Sequence, residues 1–340
     1  MVFNEKPAVD VTLIVCTFNR ARDLHELLET AVVQETGGEF TYEVLVVDNN
    51  STDETREVVE HFISAGPASV RYLFEAKQGK SHALNTGLKA AQGHIYTIVD
   101  DDFILPSSWV LNIYRAFRLH PEVSFIGGKV LPLWQEDPPP WLTREHWSAI
   151  AMADYGEEEF YTDADHQICL LACSFRTADV KAAGGYRPEL GVTSGQIGGT
   201  EDIDLLQRLW QSGRKGIYLP HIWFHHKVTA DRGTKQYHRR WHQEHGVFYA
   251  VMREKEFESS SARFFDVPAH VYRQAVRNAA ALIKHSLLGK SDQAFDREIE
   301  LRFLLGFMRK RYQDFRATGS SSAVREVATM CRFLLKRNST

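Results

Sequence analysis

Short apolar runs alternate with stretches of helical spacing along the first hundred residues. The runs are rich in β-branched side chains, which is typical of strands buried on both faces of a parallel sheet. They lie at Val11–Cys16, Tyr42–Val47, Val70–Phe74 and His94–Val99. The helical stretches between them are Leu24–Val33, residues 51–63 and residues 81–91. This alternation predicts right-handed βαβ units and an α/β fold with a mostly parallel sheet, whose ligands bind at the carboxyl ends of the strands.

The pattern changes further along the chain. Residues 134–147 are rich in proline and tryptophan and predict an irregular loop, after which Ile168–Arg176 predicts a strand. Glu201–Ser212 has the spacing of an amphipathic helix, and Gly213 is placed to end it. Ser51 and Glu54 have the spacing of a capping box at the start of the helix that follows the second strand.

The sheet-forming pattern ends near Phe248. Helical spacing follows at residues 269–288, 293–316 and 322–337, with arginine and lysine on the polar faces. We therefore predict an α/β domain at residues 1–248 and a helical appendage at residues 249–340.

Composition and charge narrow the class of protein. The chain has 340 residues, 44% hydrophobic and 25% charged, with a net charge of -4. Residues 255–340 carry about +7 and the preceding part about -11, so the basic charge is concentrated at the end of the chain. The sequence shows no signal peptide, no apolar run of membrane-spanning length and no CxxC pair among its four cysteines. These features predict a cytoplasmic protein with reduced thiols.

Three consecutive carboxylates, Asp100, Asp101 and Asp102, follow the fourth apolar run. Neighbouring carboxylates repel one another unless a cation neutralises them, and oxygen ligands suit Mn²⁺ or Mg²⁺. A divalent cation at this position would also bridge a bound diphosphate. The alternative is an acidic turn before the next helix, which Pro106 and Ser107 could begin.

Two further polar segments follow apolar runs. Asp48, after the second run, is placed to accept hydrogen bonds from a nucleobase or a ribose, although an Asx turn before a helix would use the same residue. The segment Cys16–Arg20, which includes Thr17 and Asn19 at the end of the first run, either lines a pocket or turns the chain.

Taken together, an ordered series of segments resembles the family 2 glycosyltransferases, which adopt the GT-A fold. The segments are VTLIVCTFNR, VLVVDNNSTDET, GKSHALNTGL, IVDDDFILPSSW, GGYRPELG, GGTEDIDLLQRL and HHKVTADRGTKQYHRRWHQEHG. The resemblance runs from about Val11 to Gly246, about two-thirds of the chain. It implies a Rossmann-like GT-A domain followed by a helical appendage.

The resemblance also implies roles for individual residues. The predicted donor-binding residues are Thr17, Asn19, Asp48, Lys80, Asn85, Asp100, Asp101, Arg232, Tyr237 and Arg240. The expected metal ligands are Asp102 first, then Asp100 and His226. Glu201 and Asp202 match the Glu-Asp pair of the family. Because inverting transfer needs a base for the acceptor hydroxyl, we expect Asp202 to be that base and Glu201 to position the acceptor.

The sequence therefore predicts a metal-dependent inverting glycosyltransferase that uses a nucleoside-diphosphate sugar, with UDP the common choice in the family. We expect a glycan or lipid-linked acceptor from bacterial surface glycan or polysaccharide synthesis, and no nucleic-acid partner. The alternatives are a metal-dependent nucleotidyltransferase and a non-catalytic nucleotide-sugar binding module. The basic C-terminal helices, above all Ala323–Lys336, suggest peripheral contact with the inner face of a membrane.

Overall fold

The computed structural model describes residues 9–66, 68–253, 258 and 262–317. The predicted helix at residues 322–337 lies outside the described residues. The strands are β1 Val11–Thr17, β2 Tyr42–Asp48, β3 Ser69–Phe74, β4 Ile95–Asp100, β5 Phe103–Ile104, β6 Phe125–Trp134, β7 Phe160–Thr162, β8 Ser174–Arg176, β9 Gly216–Val228, β10 Arg263–Phe264 and β11 Val267–Pro268. The α-helices are α1 Ala21–Ala31, α2 Thr55–Ala65, α3 Lys80–Ala90, α4 Trp109–Leu119, α5 Thr177–Ala182, α6 Glu201–Gln211, α7 Lys235–Met252, α8 Ala269–Leu287 and α9 Ser291–Ala317.

In the part of the chain that the structure describes, nine strands form one mixed sheet, in the order β3-β2-β1-β4-β8-β6-β9-β5 with β7 beside β9. The four strands β1 to β4 pair in parallel, as the sequence predicts. Beyond β4 the sheet becomes mixed, because β8 runs antiparallel to both of its neighbours while β6 and β9 are parallel. At the carboxyl ends of β1, β2 and β4, Thr17 is in register with Asp48 and the preceding Cys16 with Asp100, so these polar residues meet at one edge.

The core of the sheet is built from the apolar runs that the sequence marks. Leu13, Ile14 and Val15 of β1 are fully buried, as are Val44 to Val47 of β2. Gly87 of α3 allows the helix to approach this core, since a Cβ there would lie 2.6 Å from Ile14 Cγ2. The close approach holds the C-terminal half of α3 against β1 and β2.

Two sequence-based predictions of local structure are wrong. The strand expected at Ile168–Arg176 is confined to Ser174–Arg176, because the backbone turns through Ala172 at φ 45°. The expected capping box is absent, since α2 begins one residue after Glu54 and the Ser51 hydroxyl accepts instead from the Asn19 N–H at 2.9 Å. At Ser51 a long-range contact thus replaces the local one that the sequence suggested.

The chain divides into two compact units. The first comprises Met1–Gly195 and Glu201–Gly233, and the second comprises Gln196–Thr200 and Thr234–Thr340. The division thus falls at residues 233 and 234, whereas the sequence placed a boundary at residues 248 and 249. In the second unit α7 packs closely on α9, where a Cβ at Gly246 would lie 2.1 Å from Phe303 O. This contact explains why α7 groups with the C-terminal helices.

No helix within the described ranges is both long enough and apolar enough to cross a bilayer.

Candidate active site

The acidic triplet lies at the end of β4 and in the turn before β5. Asp100 is the last residue of β4, while Asp101 and Asp102 are buried in the turn. The three carboxylates have different partners, so they are not equivalent. Asp100 is bound by Lys80, Asp101 by Thr17 and Arg20, and Asp102 by a cluster of nitrogen donors.

Asp101 connects the turn to the loop that follows β1. Its Oδ2 accepts from Thr17 Oγ1 at 2.8 Å, and its Oδ1 accepts from Arg20 Nη1 at 2.8 Å. Burial raises the pKa of Asp101 to about 7, against the opposing charge of Arg20. Thr17 thus contacts the acidic triplet directly, at the position where the sequence placed it near the donor.

Asp102 is surrounded by three nitrogen-bearing side chains. Its Oδ1 lies 3.1 Å from His226 Nε2, and its Oδ2 lies 2.9 Å from Arg20 Nη1 and 3.1 Å from Arg232 Nη2. Burial opposes ionisation of this carboxyl, but these partners outweigh it and hold the pKa of Asp102 well below its usual range. Asp102 is therefore ionised whenever the protein is folded near neutral pH.

The residues around Asp102 fit a divalent cation that also binds a diphosphate. Asp102 Oδ1 and His226 Nε2 lie 3.1 Å apart, close enough for one cation to contact both, and an oxygen and nitrogen donor set favours Mn²⁺ over Mg²⁺. Across the described part of the chain, no three His, Cys, Asp or Glu are grouped to hold a metal. Asp100, the third predicted ligand, is instead paired with Lys80 at 3.0 Å. Two protein ligands would leave the remaining positions to phosphate and water oxygens.

Asp48 and Asn19 shape the loops beside the triplet. Asp48 Oδ1 accepts from the Ser51 N–H, and its Oδ2 accepts from the Tyr72 hydroxyl, both at 2.8 Å. Asn19, at φ 51°, accepts from the Thr52 N–H at 2.7 Å. The Asn19 bond connects the loops after β1 and β2, whereas Asp48 holds its own loop and β3. Both residues therefore have a structural role, and their contact with a nucleotide stays a prediction.

Lys80 lies between the acidic triplet and the Glu201–Asp202 pair. It begins α3, and its Nζ lies 3.0 Å from Asp100 Oδ1 and 3.9 Å from Glu201 Oε1. Burial favours the neutral amine, but the surrounding carboxylates outweigh it and raise the pKa of Lys80 well above its usual value. Lys80 is thus a fixed positive charge between two groups of carboxylates.

Glu201 and Asp202 form the first turn of α6, as the sequence predicts. Asp202 Oδ1 is buried and has no hydrogen-bond partner among the described residues. Burial is the main cause that raises the pKa of both carboxyls, to about 7 for Glu201, with Asp202 adding to the shift of Glu201. The positive end of the helix dipole at an N-terminus favours the ionised form of a carboxyl. The structure shows that loss of solvation acts in the opposite direction and is the larger effect.

We expect activity and stability to respond in opposite directions to pH between about 5 and 8. A base must be unprotonated, so kcat/KM for transfer should rise about tenfold per pH unit below the raised pKa of the Glu201–Asp202 pair and level off above it. Carboxyls with raised folded-state pKa values bind more protons in the folded state than in the unfolded state. Their contribution to stability is therefore complete below about pH 4 and is lost as the pH rises through about 7.

Rate profiles and melting curves recorded in the same buffers check this prediction. Glu201→Gln should flatten the decline of the melting temperature between pH 5 and 8. A wild-type rate that is level across this range would contradict the assignment of the base.

Asn85 has a structural role that the sequence did not predict. Its amide group donates to Tyr186 O at 2.7 Å and accepts from the Tyr186 N–H at 2.8 Å. Nearby, a Cβ at Gly191 would lie 2.2 Å from Ser81 Oγ, and Lys80 N donates to Val192 O at 2.9 Å. Asn85 therefore holds the segment that packs on the start of α3, and its contact with the nucleotide stays a prediction.

We expect Asn85→Ala to lower the free energy of unfolding by about 1–3 kcal/mol, because it leaves two backbone groups of Tyr186 without their partners. Urea unfolding of the variant measures this loss. Lys89→Ala, an exposed position on the same helix, is the control and should change stability by less than about 0.5 kcal/mol. Equal stabilities of the two variants would contradict the positioning role.

The last two predicted donor residues, Tyr237 and Arg240, lie on α7 in the second compact unit. Arg240 Nε donates to Glu244 Oε1 at 2.7 Å, one turn along the helix. The contribution of both residues to donor binding stays a prediction.

Sequence reasoning assigned no individual role to two residues that organise the site. Arg20 binds both Asp101 and Asp102, and the buried Asn49 accepts from the Gly79 N–H at 2.8 Å and donates to Lys77 O at 2.7 Å. Both stand inside segments that the resemblance includes, next to Asn19 and Asp48. Their position directly after buried strands was the available signal.

Comparison with known proteins agrees with this arrangement. Residues 12–178 match the model of glycosyl transferase family 2. Glycosyltransferase GlyA of Streptococcus pneumoniae serotype 4 is 31% identical over 86% of this chain and 40% of its own length. The chain belongs to glycosyl transferase family 2. It spans 40% of the length of GlyA and 33–35% of the length of three other curated relatives that it matches.

Solved structures identify the fold of this family 2 member as GT-A. Mannosyltransferase PcManGT from Pyrobaculum calidifontis, in complex with GDP-Man and Mn²⁺, superimposes with a TM-score of 0.58 at 21% identity over 91% of both chains. Residues 1–349 of S. aureus TarS, in complex with UDP-GlcNAc, give a TM-score of 0.51 at 16% identity over 91% of this chain and 92% of that one. The predicted fold, a mostly parallel sheet with flanking helices and C-terminal helices, is confirmed.

Proposed function

We propose that this chain transfers a hexosyl group from a nucleoside-diphosphate sugar to an acceptor hydroxyl, with inversion at the anomeric carbon. The observation that carries the proposal is the position of Lys80, which contacts Asp100 of the acidic triplet and approaches Glu201 of the catalytic pair. Lys80 thereby connects the two groups of carboxylates that donor binding and proton removal require. Both groups belong to the same compact unit.

The first part of the proposed site holds the diphosphate. Asp102 and His226 would bind Mn²⁺, which supplies positive charge against the diphosphate when it is bound. Arg20 and Arg232 already lie within hydrogen-bond distance of Asp102, so their guanidinium groups are available beside the leaving group. Positive charge there stabilises the nucleoside diphosphate as its bond to the sugar breaks.

The second part removes a proton. Asp202 Oδ1 accepts the proton of the acceptor hydroxyl while the hydroxyl oxygen forms a bond to the anomeric carbon. The bond between that carbon and the diphosphate oxygen breaks, and the nucleoside diphosphate leaves with the electron pair. A buried carboxylate oxygen without a partner suits this step, because no existing hydrogen bond must be broken first. Glu201 lies beside it, where it would position the acceptor.

The comparisons support a nucleotide-sugar donor but leave its base and sugar open. Named neighbours bind GDP-Man in one case and UDP-GlcNAc in the other. A further relative is a glucosyltransferase of Campylobacter jejuni that acts on an undecaprenol-linked glycan, 35% identical over 27% of this chain. We propose a UDP-sugar as donor and a glycan or lipid-linked acceptor of bacterial surface glycan synthesis. The cytoplasmic location stays a prediction from the sequence.

The alternatives use fewer of these features. A nucleotide-sugar binding module has no use for a buried, partner-free carboxylate oxygen at a helix N-terminus. A nucleotidyltransferase would usually have a glycine-rich, basic phosphate loop after its first strand, and the segment after β1, TFNRA at residues 17–21, contains no glycine. The geometry therefore favours sugar transfer.

Calorimetric titration with UDP and GDP, each with Mn²⁺ and with a chelator, tests the donor site. We expect one nucleotide to bind with micromolar affinity only when Mn²⁺ is present. The corresponding nucleotide sugars are then screened for slow release of the nucleoside diphosphate, which reports bond cleavage without knowledge of the acceptor. Metal-independent binding would remove the role of Asp102 and His226, and binding without any cleavage would favour the binding module.

A further inference from the structure

Helix α8 of the second unit exposes an apolar stripe. Val276, Ile283 and Leu287 have relative exposures of 69%, 61% and 83%, and Ala280 on the same face is also exposed. These four residues have the spacing i, i+4, i+7 and i+11, which places them on one side of an α-helix over about 16 Å. The adjoining Leu288 is 58% exposed and extends the stripe past the end of the helix. Isolated exposed apolar residues are normal, but a continuous stripe marks an interaction surface.

A basic stripe runs directly beside the apolar one. Arg273, Arg277 and Lys284 are spaced i, i+4 and i+11, and each lies three or four positions from a member of the apolar stripe. All three are exposed, and none forms an ion pair with a carboxylate in the part of the chain that the structure describes. Residues 269–290 contain no aspartate or glutamate. The face is therefore apolar along its middle and positively charged along one edge.

The opposite side of α8 explains why this face is not needed for folding. Val271 and Ala275 point into a separate small core, where they pack with Leu304 and Phe307 of α9. Apolar residues thus occupy two sides of α8, one buried and one exposed. A helix that only served its own unit would carry polar residues on its outer side.

We propose that this face of α8, defined by Val276, Ala280, Ile283, Leu287, Arg273, Arg277 and Lys284, binds the surface of a membrane that contains anionic lipid. Apolar side chains in a line would enter the boundary between headgroups and acyl chains, while the basic edge contacts lipid phosphates. The basic edge is complementary to any anionic partner. The continuous apolar stripe beside it favours a lipid surface over an acidic protein, because a lipid interface has charged headgroups directly above apolar acyl chains. The proposal is independent of sugar transfer and of the tail at Ala323–Lys336.

Cosedimentation of the full chain with vesicles tests the proposal. One set of vesicles contains phosphatidylcholine alone, and the other contains phosphatidylcholine with about 30% phosphatidylglycerol. We expect binding only to the anionic set, and a decline as salt rises from 50 to 300 mM, because screening weakens the basic contacts. Each basic side chain near such a surface contributes about fivefold, so Arg273→Gln, Arg277→Gln and Lys284→Gln together should weaken partitioning on the order of 100-fold.

Further variants test whether the apolar stripe itself is needed, rather than the charge or hydrophobicity of the whole protein. Ile283→Gln with Leu287→Gln should also abolish anionic vesicle binding, with the melting temperature unchanged because both side chains are exposed. The control for charge is a triple variant in the first unit, Arg22→Gln with Lys89→Gln and Lys181→Gln. The control for hydrophobicity is Leu119→Gln on α4 of the same unit. All four positions are exposed, and both controls should bind like the unaltered chain.

Three results would overturn the proposal. The first is no preference for anionic vesicles, and the second is full binding by the triple Gln variant, which would assign the contact to another segment such as the tail. The third is a stable dimer in sedimentation velocity that Ile283→Gln with Leu287→Gln converts to a monomer, without vesicle binding in either form. That outcome would show that the face joins two copies of this chain.

Discussion

Asp202→Asn should lower kcat for sugar transfer by about 10²–10⁴-fold, the range that a positioned general base contributes. Asparagine has nearly the same shape as aspartate but cannot accept the proton of the acceptor hydroxyl. Because Asp202 Oδ1 has no hydrogen-bond partner in the described part of the chain, the substitution breaks no bond of that atom. Donor affinity should therefore stay within about twofold, since loss of a group that acts only on the reacting hydroxyl changes kcat rather than binding.

Stability gives an independent check on the same variant. Asp202 is buried beside Glu201, and burial raises the pKa of both carboxyls. Replacing one of them by a neutral amide removes an unfavourable buried charge, so the melting temperature at pH 8 should be unchanged or higher. Turnover is measured as nucleoside diphosphate released, and donor affinity by calorimetry. A near-normal kcat would exclude Asp202 as the base, whereas a lower melting temperature would show that any loss of rate has a structural origin.

The second large effect is expected at Asp102. Asp102→Asn should weaken Mn²⁺-dependent donor binding by at least about 100-fold, because loss of a direct ligand exceeds the 10–100-fold effects seen for residues behind the ligands. The variant also removes the negative charge that Arg20, Arg232 and His226 share. With a chelator present, the variant and the unaltered protein should bind the nucleotide equally weakly.

Asp100→Asn is the matched control for Asp102→Asn. It neutralises a carboxylate of the same triplet, but one that is paired with Lys80 at 3.0 Å rather than with His226. We expect it to preserve the Mn²⁺ dependence and to change donor affinity by less than about tenfold. Circular dichroism and melting curves establish that both variants are folded before affinities are compared. Equal loss of metal dependence in both variants would show that the metal uses Asp100 as well.

The sequence by itself determined the order of strands and helices in the first hundred residues. Strands such as Val11–Thr17 are buried on both faces, and that requirement appears directly as an unbroken apolar run. The same runs located Thr17, Asp48 and Asp100 at the carboxyl ends of neighbouring strands, which the parallel register then brought to one edge. The Glu201–Asp202 pair at the start of α6 was also readable, since a helix and its first turn are local features.

Only the tertiary structure determined which charged side chains form pairs. That Asp102 pairs with His226 and Arg232, more than 120 residues away, depends on β9 lying beside β5. Partners so distant in sequence leave no periodic signal, and the same holds for the bond between the Asn85 amide and Tyr186. The pKa values of Glu201 and Asp202 likewise depend on the tertiary structure. A helix N-terminus can be recognised locally, but solvation depends on everything packed around the carboxyl, and here that packing is the stronger influence.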